Sequence, residues 1–270
     1  MSHPIANYLW VVAILLYGCA HQPEIRSAQH KQAVDWSIQG EKAYQNENGD
    51  QARQYFEKSL QLNSAIENGH GIATNTLSLA QINLDRGEFD QAAAKLQFIL
   101  ADKDHLFPDG DKADAAARSA LMELLVKQPG RAVDFARQAQ TLCEALACPF
   151  EAAILNLRAQ SALALNNIQE SSEFARQAGG IAEKTQQFIE LANSRRLLGE
   201  IQLRQNAAAT AIPLLEQSLS LDKQFGLAKR IAEDLHWLAE AKELLGQHAE
   251  AESYRSREQA VLMATGAKEQ

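Results

Sequence analysis

Cysteine and histidine carry the widest chemistry in this chain, and their spacing narrows what they can do. There are three cysteines and seven histidines in 270 residues. Cys143 and Cys148 are separated by Glu-Ala-Leu-Ala and are followed directly by Pro149. In an oxidising compartment such a pair can close a small loop across a helix–helix connection. Two small buried hydrophobes are the other reading of the same pair. Zinc is not indicated, because no histidine lies near either cysteine in sequence. His236 sits between Glu233 and Glu240, one helical turn to either side. Metal or acid–base work is conceivable there, but the pattern is that of a solvated helix face. His21, His30, His70, His105 and His248 are scattered. No HExxH, phosphate-binding glycine loop or nucleophile elbow is found. The expectation is no catalytic residue, no metal and no cofactor.

The N-terminus is different in kind. Ile5 to Tyr17 is largely apolar and ends at Gly18 and Cys19. Its length suits a signal-peptide h-region and falls short of the roughly 20 residues needed to span a bilayer. Leu16-Tyr17-Gly18-Cys19 resembles a bacterial lipobox, with Tyr17 larger than the usual small residue. The resemblance implies cleavage after residue 18 and lipidation of Cys19. Each buried acyl methylene would contribute about 0.8 kcal/mol to anchoring. Ala20, a non-acidic residue after the cysteine, implies sorting to the outer membrane, on its periplasmic face. Residues 19–32 then read as the lipidated cysteine and a short polar tether, with the folded part at 33–264 and a tail at 265–270. Without lipidation the chain would sit in the cytoplasm or at the inner membrane.

Composition sets the fold class. Apolar residues make up 46% of the chain, with only six prolines and a net charge of −8. Alanine, leucine, glutamine and glutamate are good helix formers. A nucleic-acid partner is not expected, because no basic footprint is present to neutralise phosphates.

The elements that organise these residues are repeated. Ala52, Ala92, Ala132, Ser171, Ala211 and Ala251 are spaced 40, 40, 39, 40 and 40 apart. Gly40, Ala80, Ala120, Ala159, Gly199 and Ala239 each stand 12 positions before one of them. Two locked series at one period mark a repeat array. Apolar residues at helical spacing surround both small residues of each unit, with a polar break between them. Each unit therefore reads as a hairpin of helix A and helix B. Gly87, Asn166, Asn206 and Gly246 fall at one position of the break and tolerate the left-handed conformation that ends helices. In the third unit the break reads as Pro129-Gly130. Helix axes approach closely only over small side chains, so Gly199 is expected to cross Ala211.

Trp36, Gly40, Tyr44, Ala52 and Phe56, then Gly87-Glu88-Phe89-Asp90-Gln91-Ala92, then Leu198-Gly199, Ala211 and Leu215, resemble the tetratricopeptide repeat pattern. The resemblance implies an all-α right-handed superhelix, an α-solenoid of six helical hairpins, with helix A lining the concave side. A HEAT- or armadillo-type solenoid is the rival. The period of 40 exceeds the usual value of about 34, as in the long-helix variants of kinesin light chains. The surplus must lengthen the helices or the link from B to the next A. Asp222 to Arg230 reads as added helix. Projecting the family's register places Glu41, Tyr44, Gln81, Asp85, Asn156, Gln160, Asn193, Arg196, Glu200, Arg204, His236, Glu240 and Glu243 in the groove. Reversing the charges of Arg196 and Arg204 is expected to weaken partner capture without unfolding the array.

Such an array implies a non-catalytic scaffold binding a protein or peptide partner. Tethered to a membrane through its lipid, it would help assemble or regulate a cell-envelope complex. A cytoplasmic or inner-membrane regulator of the same fold is the alternative. An enzyme with a site between repeats is the remote one.

Overall fold

A computed structural model describes residues 27–144 and 148–264. Cys19 and the signal and tail segments lie outside them. The described residues form twelve α-helices: α1 (Ala28–Gln45), α2 (Gly49–Ala65), α3 (Gly69–Asp85), α4 (Phe89–Leu100), α5 (Asp109–Leu125), α6 (Pro129–Glu144), α7 (Glu151–Ala164), α8 (Ile168–Lys184), α9 (Phe188–Arg204), α10 (Ala208–Gln224), α11 (Ala228–Leu244) and α12 (His248–Ala264). Consecutive pairs pack as six hairpins, and each second helix also packs on the first helix of the next hairpin. The first helices α3, α5, α7, α9 and α11 touch in succession, whereas no two second helices pack comparably. Crowding on one side and splaying on the other bends the stack. The first helices therefore form the concave layer of an all-α solenoid.

The period has a simple origin. In hairpins five and six each helix is 17 residues long. Three-residue links such as Gln205-Asn206-Ala207 join them. Two such helices and two such links fill 40 residues, so the surplus went into helix length. The middle residue of a link is left-handed: Glu47, Gly87, Lys127, Asn166, Asn206 and Gly246 within hairpins, and Glu67, Gln186 and Gly226 between them, have φ from +52° to +72°. Both kinds of link thus use one turn. Gly226 breaks the stretch expected as continuous helix over 222–230. Pro129 and Gly130 open α6 rather than ending α5, since proline suits the first helical position, where no amide donor is needed. Lys127 makes the turn instead.

The link from α4 to α5 departs from this rule. It runs over residues 101–108, and the Asp102 carboxylate organises it. Backbone N–H groups of Asp104, Leu106 and Phe107 donate to Asp102 at 3.2, 3.2 and 3.1 Å. Lys112 Nζ lies at 3.0 Å. Desolvation would raise this carboxyl, but these donors outweigh it and hold it down at about 2. Cys143 and Cys148 are joined as a disulfide with Cα atoms 5.2 Å apart. Cys143 is buried among Ala113, Ala116, Ala139 and Ile154.

Four of the six hairpin crossings, in hairpins one, three, four and five, obey size complementarity; in hairpin two Ala80 and Leu96 are both buried. A Cβ on Gly199 would meet Leu215 Cγ and Cδ2 at 2.6 Å, and one on Gly40 would meet the Phe56 ring at 2.6 Å. The glycine therefore makes room for the large residue four positions after the helix-B anchor, and not for the anchor Ala211. Where that residue is alanine, as at Ala136 and Ala175, helix A carries Ala120 and Ala159, and all four are fully buried. Ser171 marks the fourth crossing directly, its hydroxyl donating to the Ala159 carbonyl at 2.8 Å. Hairpins one and five share a second device: Ser59 and Ser218 donate to the carbonyls of Ala33 and Ala192 at 2.7 and 3.0 Å. The last helix, α12, buries only Ala251 among its residues and presents a wet outer face.

Candidate functional site

Counted from the small residue of helix A, positions −6, −2, +1 and +5 fall on one stripe of the helix. In α5, α7, α9 and α11 this stripe surrounds a cavity of about 490 Å³. Asn156, Gln160, Asn193, Arg196 and Glu200, all expected in the groove, line it. So do Leu121, Leu157, Leu197 and Trp237, which give it an apolar floor. These four were missed because the projected register was read for polar residues only. The signal was present: Leu157, Leu197 and Trp237 each stand two positions before the repeating small residue. Glu190, Arg230 and Glu233 complete the polar wall.

Toward the N-terminal end the same stripe, joined by Tyr44 from the neighbouring position +4, is a polar ladder. The Tyr44 hydroxyl donates to Asp85 at 2.5 Å, Gln81 Nε2 to Asp85 at 2.9 Å, and Arg118 Nη1 to Gln81 at 2.7 Å. Arg118 Nε reaches Asp114 at 2.8 Å. Burial, then the Asp85 carboxylate, pushes the Tyr44 phenol well above its ordinary range. Glu41 is exposed and accepts a long bond of 3.4 Å from Gln45. A second cavity of about 620 Å³ brings Tyr44 and Asp85 together with Lys229 and Arg230. The first two hairpins and the start of the sixth thus face each other across the opening.

Asn156, Arg196 and His236 share one register position, three before the small residue, and it points toward the following hairpin. Asn156 Nδ2 donates to the Glu190 carbonyl at 3.0 Å and its carboxylate at 2.9 Å, and the Ser194 hydroxyl donates to Asn156 at 2.9 Å. Asn193 also donates to Glu190, at 3.1 Å. Arg196 is 9% exposed. Its Nε reaches Asp234 at 2.7 Å, its Nη2 pairs with Asp222, and its Nη1 lies 3.3 Å from Glu233. His236 belongs to the last described hairpin, and it turns to Glu258 of α12 at 3.5 Å. Glu240 and Glu243 also face α12, at 3.8 and 3.1 Å from Arg255. A hydrogen bond with His248, and then Arg255, holds the Glu243 carboxyl below its usual range. Arg204 is bound to Glu200 at 2.7 Å and to the Leu163 carbonyl at 3.2 Å.

This cluster corrects the charge-reversal expectation for Arg196. A glutamate there would stand among Asp222, Asp234 and Glu233, two of them with fully buried side chains. The array would be lost together with any binding.

Burial, opposed by Arg196 and reinforced by Asp234, pushes the Asp222 carboxyl up to about 6. A raised folded-state value means that the native protein takes up a proton that the unfolded chain does not. Stability from this site therefore grows as pH falls from 7 toward 4 and is lost on the way back up. The stability difference between the wild type and Asp222→Asn should shift in favour of the wild type by on the order of 2 kcal/mol over that range. Urea titrations of both proteins at several pH values measure it; parallel curves would contradict the assignment. Arg230 and Glu233 also act on this cluster, so both are kept in the comparison.

Among the described residues no group of three or more His, Cys, Asp or Glu side chains could hold a metal ion. None of the described helices is long and apolar enough to cross a membrane.

No family model matches the sequence, and no curated protein matches it. Solved structures do match in fold. The apo form of RapI superposes with a TM-score of 0.72 at 13% identity, covering 91% of this chain and 88% of RapI. PilW, described as a widely conserved type IV pilus biogenesis factor, gives 0.61 at 14% identity over 84% of this chain and 92% of PilW. TPR-like repeats of a Podosopora anserina kinesin light chain give 0.51 at 20% identity over 72% of this chain and 96% of theirs. The fold is that of TPR-like helical solenoids.

Proposed function

We propose that this chain is a non-catalytic scaffold that binds a protein or peptide partner in its concave groove. The observation that carries this reading is the central cavity. Four successive hairpins supply Leu121, Leu157, Leu197 and Trp237 to one apolar floor inside a polar wall. A floor built from four repeats has the length for an extended or helical segment. The lipobox-like Leu16-Tyr17-Gly18-Cys19 supports a lipid tether on Cys19, with the array held near the periplasmic face of the outer membrane. There the scaffold would assist assembly or regulation of a cell-envelope complex. PilW, similar in fold, is described as a pilus biogenesis factor, and a pilus is one complex of that kind.

Two measurements test the parts separately. Cross-linking and pull-down from native membranes should recover a partner with the wild type. Leu121→Asn should lose it, while Glu183→Lys on the outer helix α8 should retain it; equal recovery from both variants would remove the groove. Mass spectrometry of the purified protein should find a lipidated Cys19. An unmodified Met1 would end the tether and leave the alternative of a cytoplasmic or inner-membrane regulator.

A further inference from the structure

Six residues after the small residue of each second helix, five hairpins carry Lys58, Gln138, Gln177, Gln217 and Arg257. The second hairpin carries Phe98 there, and it is 54% exposed. Its surroundings are apolar too. Phe98 borders a cleft of about 340 Å³ between α2 and α4, with Leu60 at its side and Ile72 and Leu79 of α3 at its base. α4 is 12 residues long against 17 for α2, and the link 101–108 takes over where it stops. Leu106 in that link is 42% exposed, and its neighbour Phe107 packs edge-on against Phe98 at 5.3 Å.

The place of this patch in the fold says what covers it. Paired helices alternate in direction, so the starts of first helices and the ends of second helices share one edge of the array. Phe98, two residues before the end of α4, and Leu106 lie at that edge, and so does Ala28, where α1 begins. Cys19 stands eight residues before Ser27, and eight residues reach at most about 30 Å. A lipid on Cys19 therefore keeps this edge close to the bilayer.

We infer that this edge of the second and third hairpins rests on the lipid surface, with Phe98 and Leu106 inserted among the acyl chains. The inference rests on the lipid tether of Cys19 and adds an orientation to it. Two side chains suffice because the tether already confines the array to the surface, and each gains by leaving water. The link carries Asp104 and Asp109 beside Lys103, so the attraction is apolar and should resist salt. Phe188 and Phe225, 41% and 42% exposed, form a stacked pair at the same kind of edge. The start of α11, next to Phe225, faces the far edge of the first two hairpins across the second cavity. The stack has climbed there by one helix length, on the order of 25 Å, and holds that pair off the bilayer.

The test reconstitutes the lipidated full chain in phosphatidylcholine vesicles bearing a diazirine in the acyl chain. After illumination, mass spectrometry locates the labelled residues. Label should fall on the segments holding Phe98 and Leu106, in low and high salt alike, and spare Phe188 and Phe225. Phe98→Gln, the residue type of three other hairpins, should lose it, with circular dichroism checking the fold; should that variant not fold, the wild-type map decides alone. Equal label on Phe188 and Phe225, label on the opposite edge at Leu165 and Leu244, or none on a chain with lipidated Cys19 would overturn the orientation and leave the tether standing. A protein captured through Phe98 with no lipid label would overturn it too. A chain with unmodified Cys19 is added to the same vesicles: label at Phe98 then supports the surface without the tether, and its absence sinks both.

Discussion

Arg196→Ala destabilises the protein by about 3–5 kcal/mol, the range seen when one partner of a buried ion pair is removed. The reason is what remains. Asp222 and Asp234 have fully buried side chains, and each keeps one carboxylate oxygen without a partner even in the wild type. Arg196 is the cation that touches both. Without it, two like charges face each other in a medium that solvates neither. The loss should be local as well as large, because α9, α10 and α11 meet at this point. Hydrogen exchange should show hairpins five and six opening before the first two. Urea unfolding measures the total. Neutralising the acids as well, in Arg196→Met with Asp222→Asn and Asp234→Asn, should recover most of the stability. An Arg196→Ala protein as stable as the wild type would show that the cluster is solvated in solution.

The second large effect is at the fifth crossing. Leu215 is fully buried among Leu203, Ala211, Leu235 and Leu238. Leu215→Ala should cost about 2–5 kcal/mol in lost burial and residual cavity. Gly199→Ala gives the sharper result, because its sign depends on Leu215. In the wild type the new methyl would stand 2.6 Å from Leu215 Cγ. That contact has to be relieved by moving a side chain held on all sides, so the variant is destabilised. In the Leu215→Ala background the space is open, and replacing a helical glycine by alanine is worth roughly 0.5–1 kcal/mol. The same substitution should therefore destabilise one protein and stabilise the other. A double-mutant cycle from urea midpoints measures the coupling. Additive effects would contradict the crossing.

How much of this was legible depends on range. The 40-residue recurrence of small residues exposed the repeat, its count and its register, since a helix crossing needs a small side chain at a set distance along the chain. Gly87, Asn166, Asn206 and Gly246 announced their turns by residue type. Glu47 and Lys127 adopt the same left-handed turn without any such signal. There the three-residue geometry imposed by helices on both sides outweighs the residue's own preference. Pro129-Gly130 was misplaced for a related reason: proline suits both the end of one helix and the start of the next. The groove was half legible. Register placed Asn156, Gln160, Asn193 and Glu200 on the right helices, and the apolar floor lay at positions that the same register could have named.

The sequence alone determined that this chain is an all-α array of helical hairpins with 40-residue units, because periodicity is a local property that every repeat states again. It also determined the acidity of the chain and the lipobox-like segment at its start. Only the tertiary structure decided which polar residues are free to meet a partner. Arg196 reads as a groove arginine in one dimension. In three it is bound by Asp222, 26 positions away, and Asp234, 38 positions away. Ion pairing between hairpins depends on how far each unit rotates against the last. That rotation is set by the packing of whole helices, and no single repeat contains it.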